Sequence, residues 1–271
     1  MRGNKKLVRA VATAVLALSA VVATVVAQDS AAPDPVDSRP VPRNAEGRVS
    51  FAGTPENVGN WEGLLGTMVN GNGGNRANIP EALTLEQVPF QPWAAELYAV
   101  RREGGGKDDP HTRCKPSGGA RMFHTPYGLE VLDIGDQVIF VNIGAPHSWR
   151  QVYMDGREHP ANPAPSWYGH SVGHWEADTL VVDSVGFHGD DKFWFSRDGF
   201  PHTTQLHLIE RISRPQFDQL RYEITVDDPG AYTAPWTGGW FLSWSDGNEP
   251  FDYLCQENNL DPERMVGEEV L

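Results

Sequence analysis

The sequence predicts a mainly β protein: an antiparallel, calycin- or lipocalin-like β-barrel or curved sheet with one N-terminal helix, with a two-sheet β-sandwich as the alternative. Three observations predict it. After Cys114 the chain breaks into eight short apolar or alternating runs, "YGLEVLDI", "QVIFVNI", "SWRQVYM", "TLVVDSV", "QLHLIERIS", "LRYEITV", "GWFLSWS" and "PFDYLCQ", separated by turn residues. No helix of convincing length divides them, which disfavours parallel β-α-β winding and favours a meander. Closing or strongly curving such a sheet leaves fewer exposed edges than a flat one.

The elements follow in order. "MRGNKK" with Arg9 forms a basic n-region and "AVATAVLALSAVVATVV" an apolar h-region, so residues 1–27 read as a signal peptide cut after Ala27. No later stretch is apolar enough for a membrane span. The mature chain is then expected in the periplasm or outside the cell. Residues 28–60, with repeated Pro, Ser, Asp and Asn, read as a flexible leader, and 61–271 as a single β-rich domain. A short strand is expected within Trp61–Met68, and "NGNGGN" is a loop. "TLEQVPFQPWAAELYAVRRE" predicts a helix near 92–103, with Pro92 at its start and Trp93, Leu97 and Val100 at helical spacing, a core face. "SWYGHSVGH", before "TLVVDSV", reads as a glycine-bearing loop feeding a strand. "VGFHGDDKFWFSRDGFPHT" reads as a connecting loop able to act as a lid.

Charge and cysteines narrow the partners. The net charge is −14, and loss of a segment with Arg2, Lys5, Lys6 and Arg9 and no acid makes the mature chain four charges more negative. Such a field repels phosphate backbones, so nucleic acid is not an expected partner and a small neutral or cationic molecule is. Cys114 and Cys255 are the only cysteines, and in an exported chain an isolated pair is expected to form a disulfide. The oligomeric state has no signature.

Strand alternation separates two kinds of face. In "QLHLIERI", Leu206, Leu208 and Ile212 share one face and His207, Ile209 and Arg211 the other, and in "LRYEITV" Tyr222, Ile224 and Val226 oppose Arg221, Glu223 and Thr225. In a sandwich the mixed face meets solvent, whereas in a ligand-holding barrel it lines the cavity. The region richest in aromatics also carries titratable groups, which suits proton transfer near neutral pH. His170, Tyr168, Asp183 and His207 are the candidate catalytic residues, and His147, Trp149, Tyr153, Trp167 and Arg211 the candidate substrate contacts. Asp155 in "MDGR" reads as a turn former, and Asp183 as a carboxylate held by Arg150 or Arg211. A metal site built on His170 and His174 with His202 and His207 is disfavoured, because Gly169 and Gly173 oppose the helix that would align the first two and no HExxH is present. GxSxG, GxGxxG and P-loop motifs are absent from the sequence, so the reading needs no metal and no organic cofactor.

"WRQVYMDGREHP", "PSWYGHSVGHWEADTLVVDSVGF", "HTTQLHLIERI", "VDDPGAYTAPW" and "YLCQENN" together resemble a large family of secreted bacterial hypothetical proteins, over roughly residues 90 to 267. In that family's pattern the position of His170 is often Asp and that of His174 often Arg. The resemblance implies secretion and carries over no catalytic residues. The sequence thus supports a cofactor-free acid-base enzyme of the lyase, isomerase or hydrolase class, acting on a small neutral organic or carbohydrate ligand in an aromatic-lined barrel cavity. A periplasmic small-molecule carrier and an envelope scaffold are the alternatives.

Overall fold

Nine strands close into one barrel in the computed structural model, whose described residues are 37–63, 67–71, 78–124, 127–144 and 148–257. In chain order they are β1 (Gly59–Glu62), β2 (Leu129–Asp133), β3 (Gln137–Asn142), β4 (Ser148–Tyr153), β5 (His170–Glu176), β6 (Thr179–Val185), β7 (His207–Gln216), β8 (Gln219–Asp227) and β9 (Trp236–Asp246). Each strand pairs with the next and β9 returns to β1, so the closed barrel is the architecture and the sandwich is not. Neighbours are antiparallel except β4 and β5, which run parallel. The chain between them, residues 154–169, is long enough to return to the end from which β4 set out, as a parallel pair requires. The signal-peptide reading and the first part of the expected leader fall on residues 1–36, outside the described residues. No helix among the described residues is long and apolar enough to cross a membrane.

Two strand assignments change. "HSVGHWE" is β5, not a loop, because its glycine serves contact instead of a turn: a Cβ on Gly173 would lie 2.7 Å from Val152 Cγ1 and 2.8 Å from Met154 Sδ. A larger residue here would collide with the Val152 and Met154 side chains, so glycine lets β5 pack against them. "PFDYLCQ" is not a strand; it runs as irregular chain to a turn at Cys255, which is bonded to Cys114 with an S–S distance of 2.06 Å.

The helix α1 spans Pro92–Glu103 with Pro92 opening it. Its buried residues are Ala94, Tyr98 and Arg101, whereas Trp93 and Val100 are exposed, so the core face is turned from the one expected. An aromatic cluster decides this: Tyr98 packs at 4.7 Å from Phe200, which stacks on Phe90 at 5.7 Å and meets Trp236 at 5.1 Å.

The barrel interior is filled. The apolar faces of β7 and β8 point inward, with Leu208, Ile212, Tyr222, Ile224 and Val226 buried, and the mixed faces point outward. The 3-10 turn Gly119–His124, buried at all six residues, enters from the end at which β2 begins, and Phe123 stacks on Tyr222 at 4.2 Å and meets Phe140 at 5.3 Å. Each such ring removed from water contributes on the order of 2–3 kcal/mol. The expected lid is part of this plug: Phe187, Phe193, Trp194, Phe195, Phe200 and His202 are all buried. Six aromatic rings within one connection are core, not a cover that opens. The expectation of a ligand held by an inward-facing mixed surface therefore gives way.

The other mouth is crossed by the chain before β1. From Asp37 onward the expected leader packs on the barrel: Val49 and Phe51 are buried, Trp61 Nε1–H donates to Phe51 O at 2.7 Å, and Arg214 Nη1–H donates to Ser50 O at 2.9 Å. The two buried apolar residues and the donors waiting for their carbonyls explain why a Pro- and Asp-rich composition does not leave this stretch loose.

Candidate active site

A hydrogen-bonded chain of four side chains lies on the outer wall, across β5, β6 and β7. Ser171 points inward, so His170 and Val172 point outward, and Val172 pairs with Asp183, which pairs with Ile209. His170 and His207 stand two residues before Val172 and Ile209, at the starts of β5 and β7, diagonal to Asp183 and within reach of it. His207 Nε2 lies 2.8 Å from Asp183 Oδ1. His159, from the connection between β4 and β5, folds onto the same oxygen at 3.1 Å through Nε2, and its Nδ1 lies 2.8 Å from His170 Nδ1.

Electrostatics assigns the protons. The hydrogen bond from His207, with a second from His159, holds the Asp183 carboxyl below the usual carboxylate range, so this oxygen only accepts. Both histidines then donate through Nε2–H. A neutral His159 has its lone pair on Nδ1, accepts there from His170 Nδ1–H, and leaves His170 Nε2 with a bare lone pair. His207 is raised by its bond to Asp183, while burial, then His159 and Arg157, lowers His170. The proton affinities of two imidazoles on one wall are thus driven apart, the arrangement that distinguishes an acid from a base. Asp183 is 40% exposed and His207 32%, so solvent reaches the group.

Of the candidate catalytic residues, His170, Asp183 and His207 come together and Tyr168 does not. Its hydroxyl lies 2.6 Å from Ser148 Oγ, and burial pushes it up to about 12. Tyr153 joins the site: its ring stacks on His170 at 5.3 Å and carries the Arg157 guanidinium at 3.8 Å. Asp155 is the expected turn former, accepting from the Arg157 backbone N–H at 3.2 Å. The other candidate contacts lie elsewhere. Trp149 is 67% exposed on β4, Trp167 packs edge-on to His188, and Arg211 pairs with Glu176 at 2.8 Å. His147 lies outside the described residues. Asp183 is held by histidines and not by Arg150 or Arg211, because Arg150 points into the barrel and Arg211 has its own carboxylate.

His159 escapes sequence reasoning. It sits in a connection without periodicity, and only the fold returns it to β6. The metal grouping considered from sequence does not assemble: His174 pairs with Glu176 at 3.3 Å, and His202 is buried with Nε2 3.0 Å from Phe193 O. Among the described residues no group of three or more His, Cys, Asp or Glu is arranged to hold a metal ion.

No protein-family model, no curated protein and no solved structure matches this chain, so the candidate site rests on its own geometry.

Proposed function

We propose that this chain is an exported acid-base enzyme of the lyase, isomerase or hydrolase class that transfers protons between its own side chains and a small neutral organic or carbohydrate substrate. One observation carries the reading: His207, Asp183, His159 and His170 form one hydrogen-bonded chain on a wall that solvent reaches, with the proton affinity of His207 raised and that of His170 lowered. His170 is the base and His207 the acid; Asp183 and His159 are positioning residues that fix the tautomers. Substrate docks against the outer wall beside Tyr153, since the barrel interior is occupied. Export follows from the first 27 residues and agrees with the disulfide.

The pH profile should be bell-shaped. His170 must be neutral, so activity falls as pH drops through its lowered pKa; His207 must be protonated, so activity falls as pH rises through its raised pKa. Proton NMR titration should place His207 above the ordinary value of 6.5 and His170 below it. The reverse order would remove the assignment.

The decisive experiment is native mass spectrometry of the protein from its own periplasm, followed by turnover assays on any retained compound. Wild type should convert that compound, and His170→Ala should lose on the order of 10²–10⁴-fold in kcat, the usual contribution of one acid-base group. Binding without conversion by wild type would make the protein a carrier. N-terminal sequencing of the same sample should begin at Gln28, and retention of residues 1–27 would refute export by cleavage.

A further inference from the structure

The histidine that closes the acid-base chain stands on a segment with little else to hold it. Residues 155–158 and 160–162 are exposed, and His159 between them is partly buried, with 21% of its side chain open to solvent. The stretch is fastened outside its two ends. Met154 N–H donates to Asp136 O at 2.8 Å before it, and Ser166 N–H donates to Gly186 O at 3.1 Å after it, with Pro163 packed over Gly186. Among the described residues, 155–165 make no backbone–backbone hydrogen bond. Arg157 pairs with Asp155 and lies over the Tyr153 ring at 3.8 Å. His159 is therefore the tether that reaches β5 and β6.

That tether has a proton limit. Of two imidazole Nδ1 atoms 2.8 Å apart, one must be bare to accept. With both rings neutral the bond is made. With one extra proton it is still made, because the cationic ring donates to the neutral one and Asp183 carries the opposing charge. A second proton sets two N–H groups and two positive charges face to face, and no acceptor remains. The neighbours do not absorb this charge. From β6, Asp183 bonds the pair, but its Oδ1 is shared with His207 of β7 at the shorter distance, and Asp227 of β8 stands opposite His207. On the segment, Asp155 is engaged with Arg157, which also feels Asp136 of the β2–β3 turn, and Glu158 is exposed. From β4, Tyr153 offers a ring face. Burial, then His159 and Arg157, lowers His170, which places the second protonation below the ordinary histidine range.

We propose that residues 155–162 form an acid-released flap, held against Asp183 at neutral pH by the bond between His159 and His170 and freed from the wall when both rings are protonated. His170 is fixed by its strand, so the segment is the part that leaves. Asp183 alone is a weak remaining tether, since it is shared with His207 and 40% exposed to competing water. The flap is a regulation of the acid-base site and takes its catalytic meaning from that reading. Its opening is measured without turnover, so either proposal can fail alone.

The test is 15N relaxation of the full mature protein, read at the amides of Gly156, Glu158 and His159. At about pH 7.5 their order parameters should lie near the roughly 0.85 of rigid backbone, and at about pH 4.5 they should fall below about 0.6, while Val172 and Ile209 stay rigid. His159→Gln keeps a donor and an acceptor without a titrating ring and should hold the segment at both pH values. His159→Ala should free it at both. Equal order in wild type at the two pH values, the same acid loss of order in His159→Gln as in wild type, or an ordered segment in His159→Ala would overturn the proposal. Joint loss of order at Val172 and Ile209 would show that the wall itself unfolds in acid and would overturn it as well.

Discussion

Glu210→Leu is expected to lower the unfolding free energy by about 3–5 kcal/mol, the penalty for leaving one member of a buried ion pair alone. The pair crosses the centre of the barrel. Arg150 is 1% exposed and Glu210 fully buried. Arg150 Nη1–H donates to Glu210 Oε1 at 2.8 Å, Nη2–H to Ser184 Oγ at 2.7 Å and Nε–H to Ser171 Oγ at 3.1 Å, while Tyr222 Oη–H donates to Glu210 Oε1 at 2.7 Å. One guanidinium therefore joins β4, β5, β6 and β7, and through Tyr222 it reaches β8. It also spans the parallel seam, where β4 and β5 share only two paired positions, Val152 with Ser171 and Tyr153 with Val172. Urea unfolding measures the effect as a fall in midpoint at constant m-value. The double variant Arg150→Met/Glu210→Leu should recover most of the loss, since apolar side chains of similar volume often replace a buried pair without cost. A single-variant loss under about 1 kcal/mol would mean that water reaches Arg150.

Breaking the disulfide is the second large effect. Cys114 and Cys255 are 141 residues apart, so the cross-link restricts the unfolded chain by about 5 kcal/mol in the chain-entropy model. Cys114→Ser with Cys255→Ser should lower Tm by many degrees, and calorimetry with and without reductant should reproduce the shift on the wild type. The local consequence differs from the global one. Residues 247–257 form no strand, and the bond ties them to the 3-10 turn Pro110–Arg113 that precedes the plug. Loss of the bond should therefore raise proteolysis of this tail before the barrel melts, which limited digestion at low temperature checks. Equal digestion of oxidised and reduced protein would show that the tail is held by packing alone.

The legible parts of the fold were those in which local alternation and global position agree. "QVIFVNI" and "TLVVDSV" are apolar runs that contain β3 and β6, and "LRYEITV" alternates strictly and lies within β8. β5 was hidden because Gly173 carries a meaning that depends on Val152 and Met154, residues about twenty positions away. On α1 the spacing of Trp93, Leu97 and Val100 named a helix correctly and its buried face wrongly, since Tyr98 packs against Phe90 and Phe200, partners that no local pattern reveals. The candidate site divides in the same way. His170, Asp183 and His207 were legible as titratable groups on or beside strands, and the register that sets them diagonally was not. His159 had no local signal at all.

By itself, then, the sequence determined the β-rich class, the helix and the pairing of its two cysteines, because backbone periodicity and thiol chemistry act locally or through a unique choice. Only the tertiary structure decided that the apolar faces turn inward, that the aromatic connection plugs the barrel instead of covering it, and that His159 closes the chain from His207 to His170. Those outcomes depend on which side chains exclude water from one another across the barrel, and that is a property of strand register and closure rather than of any stretch read alone.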